Sequence, residues 1–425
     1  MNPFSEKPID LEASLTNWKD MYPKAYDKNE TDPYTKTRII LMNGTEYDAN
    51  WFSHCFMRHT DDLALRQSLG LCRFVEKQQQ QKLSMLKPVD ETILETTIAY
   101  EQLAVDLTAE LAKREKDFHV KKALDFALLE DFDHLYRYAD LLEEDDGIHA
   151  ENLVGRYTEI MPGRPTVAHH RHPVDNVKRN IIGLKSDKQT VLDTMIITAA
   201  EQQTMNYYMN QSGFYKNDKG RKLYEEICLV EEEHVTQYGS LMDSTAGWFE
   251  MMLWHEYVEC YLYWSCFETE TDRRIKKIWE EFLVTEISHL HAAEKLLKKY
   301  EKKDHAAIIG DGTFPAPVSL HENIDYVRGI LNDTVQFTGV EADYKNISDI
   351  KPDGRYFQYQ KLVNSPINSV PSHTVIKEYI EKKGTDYRFE TAENPIKALR
   401  DRKKDNISVG VAPSAAQSTG FKPNK

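Results

Sequence analysis

The sequence predicts an all-α protein organised around a four-helix bundle, on two observations. Four segments between about residues 89 and 243 repeat apolar side chains at the 3.6-residue period of an amphipathic helix. The last two segments also repeat the pattern of the first two one hundred residues later, and the repeated residues are of types that bind metals. We therefore expect a helical bundle with an internal site, together with additional helices and irregular N- and C-terminal extensions.

The four bundle helices are predicted at about 89–113, 117–141, 186–213 and 218–243. Asp117 has a side chain that suits an N-cap, and Ser186 with Gln189 has the spacing of a capping box. Gly213 is expected to end the third helix. In each segment the candidate metal ligands lie among apolar neighbours and not on the charged face.

Further helices are predicted at about 248–267, 272–302, 323–331 and 373–383. Residues 1–88 are expected to form an N-terminal extension that contains helix in its second half, residues 89–302 the helical domain, and residues 303–425 a C-terminal arm. The glutamines at 78–81 are expected on an exposed helix face. The Ser-, Pro- and Gly-rich stretch 408–425 is expected to be disordered.

Each half of the repeat carries a lone glutamate and, thirty residues later, a carboxylate-x-x-His motif (131 − 101 = 30; 231 − 201 = 30). Residues three apart on a helix lie on one face, so both side chains of a motif can reach one metal or two adjacent metals. A glutamate from each of two helices and such a motif from each of two others form the ligand set of a dinuclear metal centre in a four-helix bundle. The candidate ligands are Glu101, Asp131, His134, Glu201, Glu231 and His234.

Carboxylates on the side of a helix that faces the core favour bound metal for an energetic reason. An ionised carboxylate there costs several kcal/mol unless it is compensated, and four of them would repel one another. Two cations remove this repulsion, because carboxylates bridge them and imidazoles complete the coordination. Either motif alone is typical of a solvated helix face, and the glutamates at 231–233 alone would look like an exposed turn. The occurrence of both motifs at the same spacing favours the dinuclear site.

These helices and ligands resemble the ferritin-like, rubrerythrin-like di-iron carboxylate superfamily over about residues 89–243. The resemblance implies two bound iron ions, with manganese or a mixed manganese–iron pair as alternatives. It also implies that each histidine binds one metal through a ring nitrogen. The implied ligands are Glu101 and His134 for one metal, Glu201 and His234 for the other, and Asp131 and Glu231 between or beside the two.

Three features depart from this superfamily. Asp131 stands where glutamate is usual, and its shorter side chain leaves the adjacent Glu130 as a substitute ligand or as a hydrogen-bond acceptor for a ligand. A rubredoxin-type module of four cysteines is absent from the sequence, so electrons cannot arrive by the route typical of rubrerythrins. The chain of 425 residues is also far longer than a simple ferritin-like subunit.

A third set of the same residue types lies downstream and is an alternative site. Glu256 precedes the motif Glu286-x-x-His289 by thirty residues (286 − 256 = 30). These helices are expected either to pair with the second repeat in another bundle or to keep former ligands in salt bridges. The His-rich segment at 169–172 could also bind metal, but in a proline-rich loop it is expected on the surface or over one end of the bundle.

Composition limits the partners and the compartment. The net charge of −15 at pH 7 argues against nucleic acid, because phosphates would be repelled. No apolar run is long enough to cross a bilayer, and the N-terminus has neither the basic start nor the apolar stretch of a secretory signal. The five cysteines are scattered without a C-x-x-C pair, as reduced thiols of a cytoplasmic protein would be. We therefore expect a cytoplasmic protein that acts without a membrane.

The predicted function is that of a dinuclear-metal oxidoreductase that reduces O2 or peroxide with electrons from an unknown donor. Tyr138 and Tyr238, one turn after each histidine, are expected to pack beneath the ligands, with electron relay as the alternative. Two other functions remain open: iron or manganese storage without turnover, and a helical scaffold with a vestigial site. The long flanking segments favour the enzyme over a storage shell, and we expect them to make contacts in a homo-oligomer.

Overall fold

The computed structural model describes residues 1–164, 166–384 and 386–388, and the stretch 408–425 that is predicted to be disordered lies outside this part. The described chain is mostly helical, which confirms the predicted all-α class. Within these residues, the strands are limited to one short antiparallel hairpin. None of the described helices combines the length and the apolar character needed to span a bilayer.

The helices, in chain order, are α1 (Pro33–Arg58), α2 (Leu63–Ser84), α3 (Ile93–Arg114), α4 (Phe118–Asp146), α5 (Glu151–Val154), α6 (Thr166–His169), α7 (Lys188–Phe214), α8 (Asp218–Leu241), α9 (Trp248–Thr269), α10 (Arg273–Glu301), α11 (Ile324–Thr334), α12 (Arg355–Val363) and α13 (Pro371–Lys383). The hairpin strands are β1 (Phe337–Val340) and β2 (Asp343–Asn346), with Phe337 opposite Asn346. The hairpin and α12 have no counterpart among the predicted elements.

Side-chain caps determine where the central helices begin. A capping box opens α3, and Asp117 accepts hydrogen bonds from two backbone N–H groups at the start of α4, as its position in the sequence predicts. The third bundle helix, α7, begins slightly later than the sequence predicts. Asp187, and not Ser186, accepts the hydrogen bond from the N–H of Gln189 (2.9 Å), so α7 begins after Asp187.

The largest difference from the predicted elements is α1. It begins at Pro33, where Asp32 caps the first turn and proline fits the first helical position, whereas the sequence predicts helix only in the second half of residues 1–88. Its buried face carries polar side chains, including Thr37 and Glu46. These hide the apolar period on which helix prediction depends.

Two compact units make up the described chain, and each is assembled from three stretches of sequence. The first unit contains Met1–Glu91, Asn180–Gln203 and Met242–Leu320. The second unit contains Thr92–Arg179, Thr204–Leu241 and the described chain from His321 onwards. The predicted segments 1–88, 89–302 and 303–425 are consecutive, so they describe the order of the chain and not these units.

In the first unit, helices that are adjacent in sequence pack along each other. α1 lies along α2, α9 lies along α10, and α1 also contacts α9. Apolar side chains such as Leu83, Leu253 and Leu290 are fully buried in its core. Each such side chain contributes about 1.5–3 kcal/mol relative to an exposed position.

In the second unit, α4 is the central helix. It packs along α3 and contacts α8, α11 and α13. Most of its side chains between Ala123 and Leu142 are buried. Part of the predicted C-terminal arm therefore contributes α11 and α13 to the core of this unit, where α13 also packs on α8.

Arg388 holds the C-terminal segment onto α4. Its guanidinium is fully buried and donates to Asp140 (Nη1–Oδ1, 2.9 Å), Glu143 (Nη2–Oε2, 3.2 Å) and Glu151 (Nε–Oε1, 2.7 Å). Burial by itself would raise the pKa of the Glu151 carboxyl, but the charge of Arg388 lowers that pKa below its usual range. The three carboxylates therefore share one buried cation.

We expect Arg388→Met to lower the free energy of unfolding by about 3–5 kcal/mol, because removal of one partner leaves buried carboxylates uncompensated. Urea denaturation followed by circular dichroism measures the change. Lys377→Met is the matched control, since this side chain is 72 % exposed on α13, and it should change the free energy by less than about 0.5 kcal/mol. An equally small effect of both substitutions would show that Arg388 does not anchor the segment.

Candidate metal centre

In the α3–α4 hairpin, the lone glutamate and the carboxylate-x-x-His motif lie at the same level along the helix axes. Glu101 is as far along the chain from the end of α3 as Asp131 is from the start of α4 (114 − 101 = 131 − 118). At 1.5 Å per residue, both carboxylates are about 20 Å from the connecting loop. Because α3 packs along α4, the thirty-residue spacing brings the two carboxylates to the same level.

The second unit brings five of the six predicted ligands together, from α3, α4 and α8. They are Glu101, Asp131, His134, Glu231 and His234, and none is more than 1 % exposed. Ligand atoms of Glu101, His134 and Glu231 lie within 4.8 Å of one another, and so do those of Asp131, Glu231 and His234. Glu231 belongs to both groups.

The sixth predicted ligand, Glu201, is also buried. It lies on the part of α7 that belongs to the first unit. On α7 itself, Glu201 precedes Tyr208 by about two helical turns (208 − 201 = 7), so both residues occupy one face of the helix. Tyr208 belongs to the second unit, where its hydroxyl donates a hydrogen bond to Oε1 of Glu101 (2.5 Å).

Glu231 lies between the two histidines. Nδ1 of His134 is 2.9 Å from Oε1 of Glu231, and Nδ1 of His234 is 3.2 Å from Oε2. The two imidazole rings come from different helices, and their centroids are 6.1 Å apart. Burial by itself would raise the pKa of Glu231, but the two histidines lower it below its usual range. The carboxylate is therefore held ionised between two ring nitrogens.

Glu130 and Asp131 contact different nitrogens of the same imidazole ring. Oε2 of Glu130 lies 2.8 Å from Nε2 of His234, whereas Nδ1 of the same ring faces Oδ1 of Asp131 at 3.2 Å. Glu130 also accepts two hydrogen bonds from Arg171 (2.7 and 2.9 Å), whose charge lowers the pKa of Glu130 although burial alone would raise it. Glu130 therefore contacts the histidine ring at Nε2, and Asp131 lies with Glu231 at Nδ1 of the same ring.

The crossover segment at 169–172 is largely buried, which corrects the expectation of a surface loop. Arg171 is fully buried, and His169 is 3 % exposed. Upstream, Gly163 lets the chain approach α4 closely, because a Cβ at this position would lie 2.6 Å from the backbone oxygen of Leu129. The segment thereby supplies the cation that compensates Glu130.

Some buried polar atoms of the cluster have no compensating partner among the described residues. Burial raises the pKa of the Asp131 carboxyl. Within the described part of the chain, Oδ2 of Asp131 and Nε2 of His134 have no hydrogen-bond partner. Three carboxylates and two imidazoles at these distances form a mixed oxygen and nitrogen donor set that suits divalent iron or manganese.

Tyrosines fill the space beside Glu101. The ring of Tyr208 lies 5.2 Å from that of Tyr138 and 5.7 Å from that of Tyr224, and the last two rings are 4.9 Å apart. All three are fully buried, and burial raises the pKa of each hydroxyl well above its usual range. They therefore remain protonated at neutral pH.

The first unit contains a second buried cluster, which the sequence reveals only in part. The alternative ligands predicted on α9 and α10 group there with residues of α1 and α2. The residues not predicted are Glu259 on α9 and, on α1 and α2, Glu46, Glu76 and Gln79. A signal exists for the three on α1 and α2, because Glu76 follows Glu46 by thirty residues (76 − 46 = 30) and Gln79 stands three residues later. The glutamine run at 78–81 obscures this signal. It is expected on an exposed face, but Gln79 and Gln80 are buried, since α1 packs along α2.

Comparison of the chain with protein-family models, with curated proteins and with solved structures found no match. The resemblance to ferritin-like proteins therefore depends on the ligand pattern alone. What the site does is inferred from its geometry and its chemistry.

We expect Glu130→Gln to weaken metal binding by about 10- to 100-fold, because partners that orient a ligating histidine contribute about this much. Equilibrium dialysis of the metal-free protein against Fe2+ in the absence of oxygen measures the affinity. Glu232→Gln, at an exposed position of α8, is the matched control and should leave the affinity unchanged. Equal affinities of Glu130→Gln and the unaltered protein would contradict the orienting role.

Proposed function

We propose that the second unit holds a dinuclear centre of iron, manganese or one ion of each, and that the protein is an oxidoreductase that reduces O2 or peroxide. The observation that carries the proposal is the position of Glu231, whose two oxygens each contact Nδ1 of a different histidine. With one oxygen directed to each histidine, Glu231 would be shared by the ligand sets of two cations. Carboxylate bridges of this kind are what the resemblance to ferritin-like di-iron proteins implies.

The ligand roles that we propose follow the contacts within the second unit. Glu101 and His134 group with one side of Glu231 and would bind one metal. Asp131 and His234 group with its other side and would bind the second metal. Each histidine would offer one ring nitrogen to the metal of its own group.

Glu201 stays a ligand that the spacing of the sequence repeat predicts, and its helix has the same spacing from its loop. It is as far along the chain from the end of α7 as Glu231 is from the start of α8 (214 − 201 = 231 − 218). The same separation relates Glu101 and Asp131 to the loop of the α3–α4 hairpin. The spacing from the connecting loop is therefore the same in both halves of the sequence repeat.

Bound metals would supply electrons and Lewis acidity for the reduction of O2 or peroxide. The residues of the chain supply positioning. Tyr208 donates its O–H to Glu101 and is kept protonated by burial, so it would hold the Glu101 carboxylate in position beside the centre. Glu130, compensated by Arg171, fixes the orientation of the His234 ring.

A run of tyrosines supports redox turnover over storage. From Tyr208, ring contacts lead to Tyr224 (5.7 Å) and then to Tyr215 (5.4 Å), whose hydroxyl donates to the partly exposed Asp145 (2.7 Å). A tyrosine can give up an electron when a nearby base accepts its proton, and Tyr208 has such a base in Glu101. We infer that these rings carry electrons between an external donor and the centre.

The proposal is tested by loading the metal-free protein with Fe2+ without oxygen and then adding O2 or hydrogen peroxide. We expect uptake to stop at about two irons per dinuclear ligand set. Oxidation should increase the ultraviolet absorption of ferric ions, and added reductant should allow repeated cycles. Uptake of many irons per chain would favour storage instead. A loaded protein that does not react with either oxidant would contradict the redox function.

Variants of the ligands separate metal binding from turnover. Glu231→Ala and His234→Ala should each weaken metal binding by more than the roughly 10- to 100-fold of changes outside the coordination shell. Glu232→Ala, at the exposed neighbouring position, is the control. Tyr208→Phe should keep the metal content and slow the reduction of the oxidised centre. Unchanged metal content in both ligand variants would refute the site.

A further inference from the structure

The first unit buries five carboxylates around one histidine. They are Glu46 on α1, Glu76 on α2, Glu256 and Glu259 on α9, and Glu286 on α10, with His289 on α10, and none is more than 4 % exposed. The helix geometry repeats that of the other unit. Glu256 is as far along the chain from the end of α9 as Glu286 is from the start of α10 (269 − 256 = 286 − 273). Because α9 packs along α10, these carboxylates lie level with each other.

His289 is directed at the carboxylates. Its Nδ1 is 2.9 Å from Oε2 of Glu286 and 3.9 Å from both Oε1 of Glu76 and Oε2 of Glu256. Ligand atoms of Glu76, Glu256 and His289 lie within 4.8 Å of one another. Those of Glu256, Glu259 and Glu286 form a second group of the same size. Glu256 belongs to both groups, so the cluster offers two adjacent positions for a cation.

Hydrogen bonds hold two carboxylates of the cluster in place. Nε2 of Gln79 donates to Oε1 of Glu286 (2.7 Å) and to Oε1 of Glu46 (3.2 Å), and Tyr263 also donates to Glu46. Gln79 stands three residues after Glu76, at the position where the other three motifs have histidine. The amide therefore orients carboxylates at a place where the other motifs supply a ring nitrogen.

Other oxygens of the cluster have no hydrogen-bond partner among the described residues. These include both oxygens of Glu259 and Oε2 of Glu76. Glu259 is 1 % exposed and belongs to the second ligand group, so an unpartnered carboxylate points into the cluster. Buried polar groups are rarely left without a partner, and an ion that binds there would provide one.

The charges of the cluster do not balance. Within the described chain, the ion pairs of these carboxylates are all with His289, so one imidazole faces five carboxylates. The core thus has a strong tendency to take up positive charge.

We propose that this cluster is a second metal centre, which binds two divalent cations side by side with Glu256 as their shared ligand. Five carboxylates and one imidazole form a more oxygen-rich set than the cluster of the second unit, and such ligands suit Mn2+. The site is separate from the centre proposed for the second unit and does not depend on its activity. Because cations would bind the folded first unit, they would also stabilise it.

The experiment titrates the full-length, metal-free protein with Mn2+ and counts the retained ions by elemental analysis after dialysis. Glu256→Gln/Glu259→Gln should retain about two fewer Mn2+ ions per chain than the unaltered protein, as expected for one dinuclear set. Glutamine keeps the volume and removes two buried charges, so we expect the metal-free variant to fold and to have a higher Tm. The rise in Tm on addition of Mn2+ should shrink. Glu280→Gln, at an exposed position of α10, is the matched control.

Equal Mn2+ content and an equal Mn2+-dependent rise in Tm in the double variant and the unaltered protein would overturn the proposal. So would the loss of all bound Mn2+ in His134→Ala/His234→Ala, which changes only ligands of the second unit. The converse result separates the two proposals. Metal loss in Glu256→Gln/Glu259→Gln, with none in His134→Ala/His234→Ala, would support the first-unit centre and contradict the second-unit centre.

Discussion

The cost of burying carboxylates in helical cores is the constraint on which the rest of this structure depends. Glu231 and Glu259 are each at most 1 % exposed. An ionised carboxylate in that environment costs several kcal/mol unless cations or hydrogen-bond donors compensate it. Apolar side chains at the same positions would stabilise the cores without this cost. Clusters of buried, perturbed carboxylates are therefore typical of sites kept for function.

The two units compensate their carboxylates in different ways. In the second unit, a histidine contacts each oxygen of Glu231, and Arg171 compensates Glu130. In the first unit, the amide of Gln79 and a single histidine face a larger number of carboxylates. The cluster of the first unit therefore has the larger excess of carboxylates over cationic partners, and this difference is why we propose Mn2+ for that cluster.

Irregular segments of the second unit support its cluster of buried carboxylates and histidines. The hairpin holds the crossover segment, because Thr338 on β1 donates to the backbone oxygen of Ala168 (3.2 Å) and Arg164 donates to that of Phe337 (2.6 Å). The crossover segment in turn holds Arg171 against Glu130, which orients the ring of His234. The residues after α10 thus contribute to the positioning of a histidine far away in the sequence.

The sequence by itself determined the all-α class and the residues that lie level within a hairpin. Apolar periodicity is local, and a spacing of thirty residues across a short loop brings two side chains to one height whatever surrounds them. Which hairpins share a unit was decided only by the tertiary structure, because every hairpin carries a similar pattern. The contact of Gln79 with Glu286 joins residues 207 positions apart. The roles of Gln79 and Arg171 likewise depend on burial, which is set by packing and not by neighbours in the chain.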